Sequence, residues 1–134
     1  MTYKRLVLSS GSLKGFQYVG VLKALEEHNM VAEINEYVGI SIGSLFGLMM
    51  ALNYTSNEIA ELLMNLDIKA IMYPNILQLT DTYGIVDPNG IVGFIKHILK
   101  KKNVSDEITL IGLYNRYRKN FIIYTSILFW NYLH

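Results

Sequence analysis

The 134-residue chain has no cysteine, only 17% charged residues against 51% hydrophobic ones, and no apolar run long enough to cross a bilayer. The missing cysteines exclude disulfides and thiolate metal sites and fit a reducing compartment. The three histidines lie far apart, none at the i, i+3 or i, i+4 spacing that sets two imidazoles on one metal, so neither a metal nor any other cofactor is expected. The apolar runs 37–52 and 121–130 fall short of the roughly 20 residues that span a membrane, and Gly39, Gly43 and Gly47 interrupt the first. Met1-Thr2-Tyr3-Lys4-Arg5 leads into too few apolar residues for a signal-peptide core. The expectation is an intracellular chain, cytoplasmic or peripheral to a membrane.

What is present suits strands buried on both faces, since the apolar share exceeds the usual globular balance. The length fits one domain, 1–134, with a real core. The formal net charge is +1, but residues 1–90 carry −4 and residues 91–134 carry +5. A basic end can meet anionic lipid or nucleic acid. The plainer reading is that Lys100, Lys101 and Lys102 close a helix C-terminus and favour its dipole, and no nucleic-acid partner is expected.

Along the chain, Arg5-Leu6-Val7-Leu8-Ser9 reads as a short buried strand that runs into the small-residue loop Ser10-Gly11-Ser12-Leu13-Lys14-Gly15. From Phe16 to about His28, Val19, Leu22 and Leu25 recur at helical spacing, with Lys23, Glu26 and Glu27 toward solvent. Such a loop offers unhindered backbone N–H groups at a helix N-terminus, where an anion or oxyanion is stabilised. Neither Gly-x-x-x-x-Gly-Lys-Ser/Thr nor Gly-x-Gly-x-x-Gly occurs, which leaves nucleotide binding without a motif.

After a connection at 29–35, Glu36-Tyr37-Val38-Gly39 gives a second strand with Ser41 at its end. The helix from Ile42 to about Asn53 is apolar almost all round, so it is predicted to be buried. Two strands joined by a helix of this length imply a right-handed crossover and a parallel sheet, whose ligands bind at the carboxyl edge of the strands. Thr55-Ser56-Asn57-Glu58 is a capping-box pattern that opens a helix to about Leu66, with Ile59, Leu62 and Leu63 inward. Asp67 to Tyr83 has no regular pattern. Asp87-Pro88 sets an N-cap before a helix to about Lys101 whose apolar side is Ile91, Phe94, Ile95, Ile98 and Leu99. Thr109 caps a short helix to about Arg118, and Phe121-Ile122-Ile123-Tyr124-Thr125 is predicted to be a third strand buried on both faces.

Gly39-Ile40-Ser41-Ile42-Gly43 is a G-x-S-x-G pentapeptide at the strand-to-helix bend. Its glycines leave room for a tight turn that presents the serine hydroxyl where a helix dipole faces developing negative charge. Together with the Ser10–Gly15 loop at the spacing of one helix, it resembles the patatin-like phospholipases, which carry G-G-G-x-R/K-G after the first strand and G-x-S-x-G after the second. Tyr83-Gly84-Ile85-Val86-Asp87, Ile108-Thr109-Leu110 and the strand near Phe121 are similar to that family as well.

The resemblance covers nearly all of this chain and the N-terminal part of the family's domain. It implies a three-layer α/β/α fold with a mainly parallel central sheet, and a Ser-Asp dyad that hydrolyses acyl esters of lipids or phospholipids. Ser41 would be the nucleophile, with Gly39, Ile42 and Gly43 forming its elbow. Gly11 and Ser12 would donate N–H groups to the oxyanion, Ser10 and Gly15 would bound the loop, and Lys14 matches the family's basic position. Ser10 and Ser12 replace two family glycines, and the loop is strained if either needs positive φ.

The family's aspartate, in a D-G-G/A motif, has no match here: Asp67, Asp81, Asp87 and Asp106 are all followed by other residues than glycine. The chain is therefore expected to lack the C-terminal part that carries that aspartate. His28 and His97 read as helix residues rather than replacement bases, and His134 is terminal. Phe16, Phe46 and Met49 would suit acyl chains, but ordinary core is the simpler assignment for them. Two functions stay open: a lipid acyl hydrolase, and a catalytically inactive patatin-like chain that binds lipid or a partner. The run Leu128-Phe129-Trp130-Asn131-Tyr132-Leu133-His134, after the last strand, is expected to leave an open sheet edge available for pairing.

Overall fold

The strand-helix-strand order builds the parallel sheet that it predicts. In the computed structural model, which describes residues 4–66 and 88–124, β1 (Arg5–Leu8), β2 (Glu36–Ile40) and β3 (Asn120–Tyr124) lie in the order β1-β2-β3, all parallel. The described helices are α1 (Tyr18–Glu27), α2 (Ile42–Ala51), α3 (Ser56–Met64), α4 (Pro88–Lys101) and α5 (Leu110–Tyr117), with 3-10 turns at Ser12–Gln17 and Val31–Glu33. The chain divides into two compact units, Met1–Glu61 with Ile108–His134, and Leu62–Glu107. The irregular Asp67–Tyr83 stretch, Tyr83–Asp87 and the aromatic run Leu128–His134 lie outside the described residues.

In the first unit the central strand is β2, and Tyr37, Val38 and Gly39 are buried in succession, as a strand covered on both faces requires. The flanking strands depart from the prediction. In β1 only Leu8 is buried and Val7 is 61% exposed, and in β3 Phe121 is buried while Ile122 and Tyr124 are 40% and 62% exposed. The reason lies in the register. Leu6, Tyr37 and Phe121 stand abreast on one face, Val7, Val38 and Ile122 on the other, because side chains alternate along each strand. Helix α2 covers the first face: its Gly47 lies against the Phe121 ring and a Leu8 methyl group.

Helix α2 is buried through Phe46, Gly47, Leu48, Met49, Met50 and Ala51, which accounts for its apolar sequence. It ends two residues earlier than the pattern predicts. Asn53, at φ 61°, donates to the Met50 carbonyl, and the Tyr54 N–H reaches back to Met49. This is a Schellman closure, in which a left-handed residue lets the chain cap its own last carbonyls. Asn29 closes α1 and Asn103 closes α4 by the same pair of bonds, at φ 56° and 53°.

The capping box at Thr55 forms reciprocally: the Thr55 N–H donates to Glu58 Oε2 at 2.7 Å and the Glu58 N–H donates to Thr55 Oγ1 at 3.2 Å. Thr109 caps α5 by accepting from the Gly112 N–H at 3.0 Å. In the second unit Phe94, Ile98 and Leu99 of α4 are buried, and Lys100 and Lys101 fall in its last turn, where their charge suits the dipole.

Candidate active site

Leu8 and Gly39 are register partners, so the segments leaving β1 and β2 emerge side by side at the carboxyl edge of the sheet. From β1 the backbone passes through Ser9, Ser10 and Gly11 into the 3-10 turn, where the Lys14 N–H donates to the Gly11 carbonyl at 2.9 Å. Residues 12–15 of the expected open loop are therefore ordered turn. From β2 the chain goes through Ser41 directly into α2.

Ser41 has φ 55° and ψ −126°. A residue with a side chain is held there at a cost of order 1–3 kcal/mol, so the surroundings must impose it. Ser41 occupies the N-cap of α2 and is exposed, yet its hydroxyl makes no capping hydrogen bond. An N-cap serine ordinarily spends its oxygen on an amide of the first turn. Here the first turn is closed by the backbone instead, with the Ser44 N–H donating to the Ser41 carbonyl at 2.8 Å.

What imposes the bend is close backbone contact at its glycines. A Cβ built on Gly43 would stand 2.2 Å from the Leu8 carbonyl oxygen, and one on Gly39 would stand 2.4 Å from the Ser44 Cα. Real Cβ atoms do not approach backbone so closely, and α2 can rest against the ends of β1 and β2 only without them. Gly15 does the same for the neighbouring loop, its backbone lying against the Ile42 side chain. The two segments thus meet at Gly15 and Ile42.

Neither Ser10 nor Ser12 has positive φ, and Gly11, at φ −171°, is extended. Serines in place of glycines therefore bring no left-handed strain to this loop, and Lys14 is exposed on it. Phe46 and Met49, at 0% and 1% exposure, are core, and Phe16 is half-buried.

Among the described residues, no hydrogen bond joins a carboxylate or an imidazole to Ser41. Asp106 is exposed in the second unit and pairs with Lys96 at 3.0 Å, which holds its carboxyl below the usual range through the hydrogen bond and the ammonium charge. His28 Nδ1 lies 2.8 Å from the Ala24 carbonyl at the end of α1, as its helical reading implies, and His97 is exposed on α4. Asp67, Asp81, Asp87 and His134 lie outside the described residues. Tyr18, which sequence reasoning does not single out, touches this edge: its hydroxyl donates to the Ser9 carbonyl at 2.9 Å. The available signal was its i, i+4 and i, i+7 relation to Leu22 and Leu25, which sets it on the inward stripe of α1.

A family model described as patatin-like phospholipase matches residues 6–131. The chain belongs to the patatin-like phospholipase family. The α/β architecture with its parallel sheet is consistent with that membership. An uncharacterised protein of Acanthamoeba polyphaga mimivirus is 27% identical over 127 residues, covering 92% of this chain and 41% of the relative. A protein of Invertebrate iridescent virus 6 named as a probable lipid hydrolase is 29% identical over 110 residues, covering 80% of this chain and 37% of the relative. This patatin-like chain thus spans about two fifths of the length of these curated relatives. No solved structure matches it. Among the described residues, no helix is long and apolar enough to cross a membrane.

Proposed function

We propose that this chain carries the serine nucleophile of a lipid acyl hydrolase, with Ser41 attacking the acyl ester and the N–H groups of Gly11 and Ser12 receiving the oxyanion. The observation that carries the reading is the Ser41 backbone: a serine at φ 55°, exposed at a helix N-terminus, whose hydroxyl does no capping. Strain of this kind clusters at active sites. Membership of the patatin-like family supports a lipid ester as substrate.

In this reading Ser41 Oγ adds to the carbonyl carbon and its proton passes to a base. The tetrahedral oxyanion is met by the loop amides and by the positive end of α2. Collapse breaks the ester bond, the alcohol leaves with a proton, and an acyl-serine remains. Water then adds to that acyl group, releasing the fatty acid and restoring the Ser41 hydroxyl. Lys14 adds positive charge beside the loop. The base is assigned to none of the four aspartates, since none precedes a glycine. That same sequence fact favours the second reading, a chain that binds lipid or a partner without turnover.

Fluorophosphonate labelling of the wild type and of Ser41→Ala, run beside a lipid-ester assay, separates them. The expected result is Ser41-dependent labelling with turnover about 10⁴-fold or more below that of a hydrolase with its base. Equal labelling of both proteins, or none, overturns Ser41 as a nucleophile. Lipid binding without labelling establishes the second reading.

A further inference from the structure

We propose that Tyr18 is a positioning residue for the oxyanion loop, holding its two ends together through its hydroxyl and referring it to the nucleophile helix through its ring; this rests on the reading of Ser41 as nucleophile. The loop leaves β1 at Ser9 and, through its 3-10 turn, joins α1 at Tyr18, the first residue of that helix. Across that opening the Tyr18 hydroxyl donates to the Ser9 carbonyl at 2.9 Å and lies 3.1 Å from Ser9 Oγ. The ring meets Phe46 edge-on, with centroids 5.5 Å apart and planes at 62°. Phe46 is fully buried in α2, the helix that Ser41 opens, so it is a fixed reference.

One side chain therefore ties the loop to the strand that precedes it and to the helix beside it. A further fixed point is Gly15 against Ile42. Between these anchors lie Gly11 and Ser12, the proposed donors. Oxyanion donors act only when they lie within hydrogen-bond reach of the place where the charge develops, and displacement of about 1 Å costs on the order of 10²-fold in rate. Ser9 is exposed and Tyr18 is partly so, which lets water replace the hydroxyl bond at little cost to the fold as a whole. What water cannot replace is the fixed distance between the loop ends.

Tyr18→Phe tests this, because it keeps the ring against Phe46 and removes only the hydroxyl. The readouts are the inactivation constants of Ser41 with a fluorophosphonate, the melting temperature, and hydrogen exchange of the amides at 10–15. The expected result is a fall of about 10-fold in the limiting inactivation rate, with the inhibitor's binding constant unchanged, the melting temperature within a few degrees and faster exchange confined to the loop. Ser9→Ala keeps the accepting carbonyl and should label at the wild-type rate. A wild-type inactivation rate in Tyr18→Phe overturns the proposal while leaving Ser41 as nucleophile. A slower rate accompanied by exchange that rises throughout the chain overturns it too, by making the effect one of general stability. A wild-type protein that does not label at Ser41 overturns the nucleophile reading first and the role of Tyr18 with it.

Discussion

Gly15 lies against Ile42 so closely that a Cβ on the glycine would stand 2.6 Å from Ile42 Cγ1 and 2.7 Å from Cγ2. This contact joins the two segments that follow the first two strands. Gly15→Ala should push the loop from α2 or rotate Ile42, costing about 1–3 kcal/mol as overpacking does. The obstacle is a side chain, so Gly15→Ala with Ile42→Ala should recover part of the loss. Gly43→Ala has no such remedy, since its Cβ would meet the Leu8 carbonyl at 2.2 Å. Denaturant unfolding of these three variants and of Ile42→Ala alone checks the ranking, with a positive coupling expected for the pair and the greatest loss for Gly43→Ala.

Ser41 should trade stability against its site. Ser41→Gly removes the Cβ from a φ of 55° and is expected to stabilise the chain by about 1–2 kcal/mol, as release from a strained conformation does. Ser41→Ala keeps the Cβ and should leave the stability nearly unchanged. Thermal melts of the two variants distinguish strain from chemistry: the glycine variant should melt about 4 °C higher per kcal/mol gained. Equal melting temperatures would mean that the bend costs nothing.

Much of this arrangement was legible in the sequence, for identifiable reasons. The bend at Ser41, the reciprocal cap at Thr55 and Glu58 and the Thr109 cap are local, so a few neighbouring residue types determine them. The exposure of Val7, Ile122 and Tyr124 was not legible, because a β-prone apolar run reads alike on central and flanking strands, and only the order β1-β2-β3 tells them apart. The end of α2 was not legible either, because Asn53 reads as one more helical residue unless its place after the apolar run marks a left-handed stop. The Gly15–Ile42 and Tyr18–Ser9 contacts join residues that no short periodicity links.

Asn29, Asn53 and Asn103 tolerate left-handed backbone, but α5 ends on Arg118 at φ 56°. Arginine gains little there beyond a contact with the Tyr114 ring, its guanidinium carbon 6.0 Å from the centroid. Arg118→Gly should therefore stabilise the chain by about 0.5–1 kcal/mol, since glycine bears no Cβ penalty in this region. Asn29→Gly should change it by only a few tenths of a kcal/mol, because asparagine already suits the position. Paired unfolding curves check the difference, and an Arg118→Gly variant less stable than wild type would show that the ring contact dominates.

Glu26 of α1 accepts from both the N–H and the hydroxyl of Ser56, at 2.8 and 2.5 Å, at the start of α3. Ser56 is 3% exposed, so its partner cannot be replaced freely by water. Glu26→Ala should cost about 1–3 kcal/mol, the penalty for buried donors left without an acceptor. Glu26→Gln retains one acceptor and should cost less. In a double-mutant cycle with Ser56→Ala, the loss on removing Glu26 should shrink, because one of the two donors is gone.

Alkaline pH should unfold the chain through its buried phenols. Burial pushes the Tyr37 hydroxyl up to about 12, and burial, with added repulsion from Glu58 and Tyr117, does the same for Tyr54. Both groups are held above their usual value near 10, so the folded state favours the neutral phenol. That stability is fully present below about pH 10 and is lost as pH climbs through the folded value near 12. Lys119, its ammonium 5.5 Å from the centre of the Tyr37 ring, acts in the opposite sense. Burial lowers its pKa, and losing its proton relieves a cost in the folded state. Tyr37→Phe isolates the phenol. Its hydroxyl is buried without a hydrogen-bond partner, so the variant should match or slightly exceed the wild type at neutral pH and unfold at higher pH. Absorbance near 295 nm, followed together with circular dichroism, should show the last tyrosines ionising only as the fold is lost, and an alkaline midpoint unmoved by Tyr37→Phe would overturn this account.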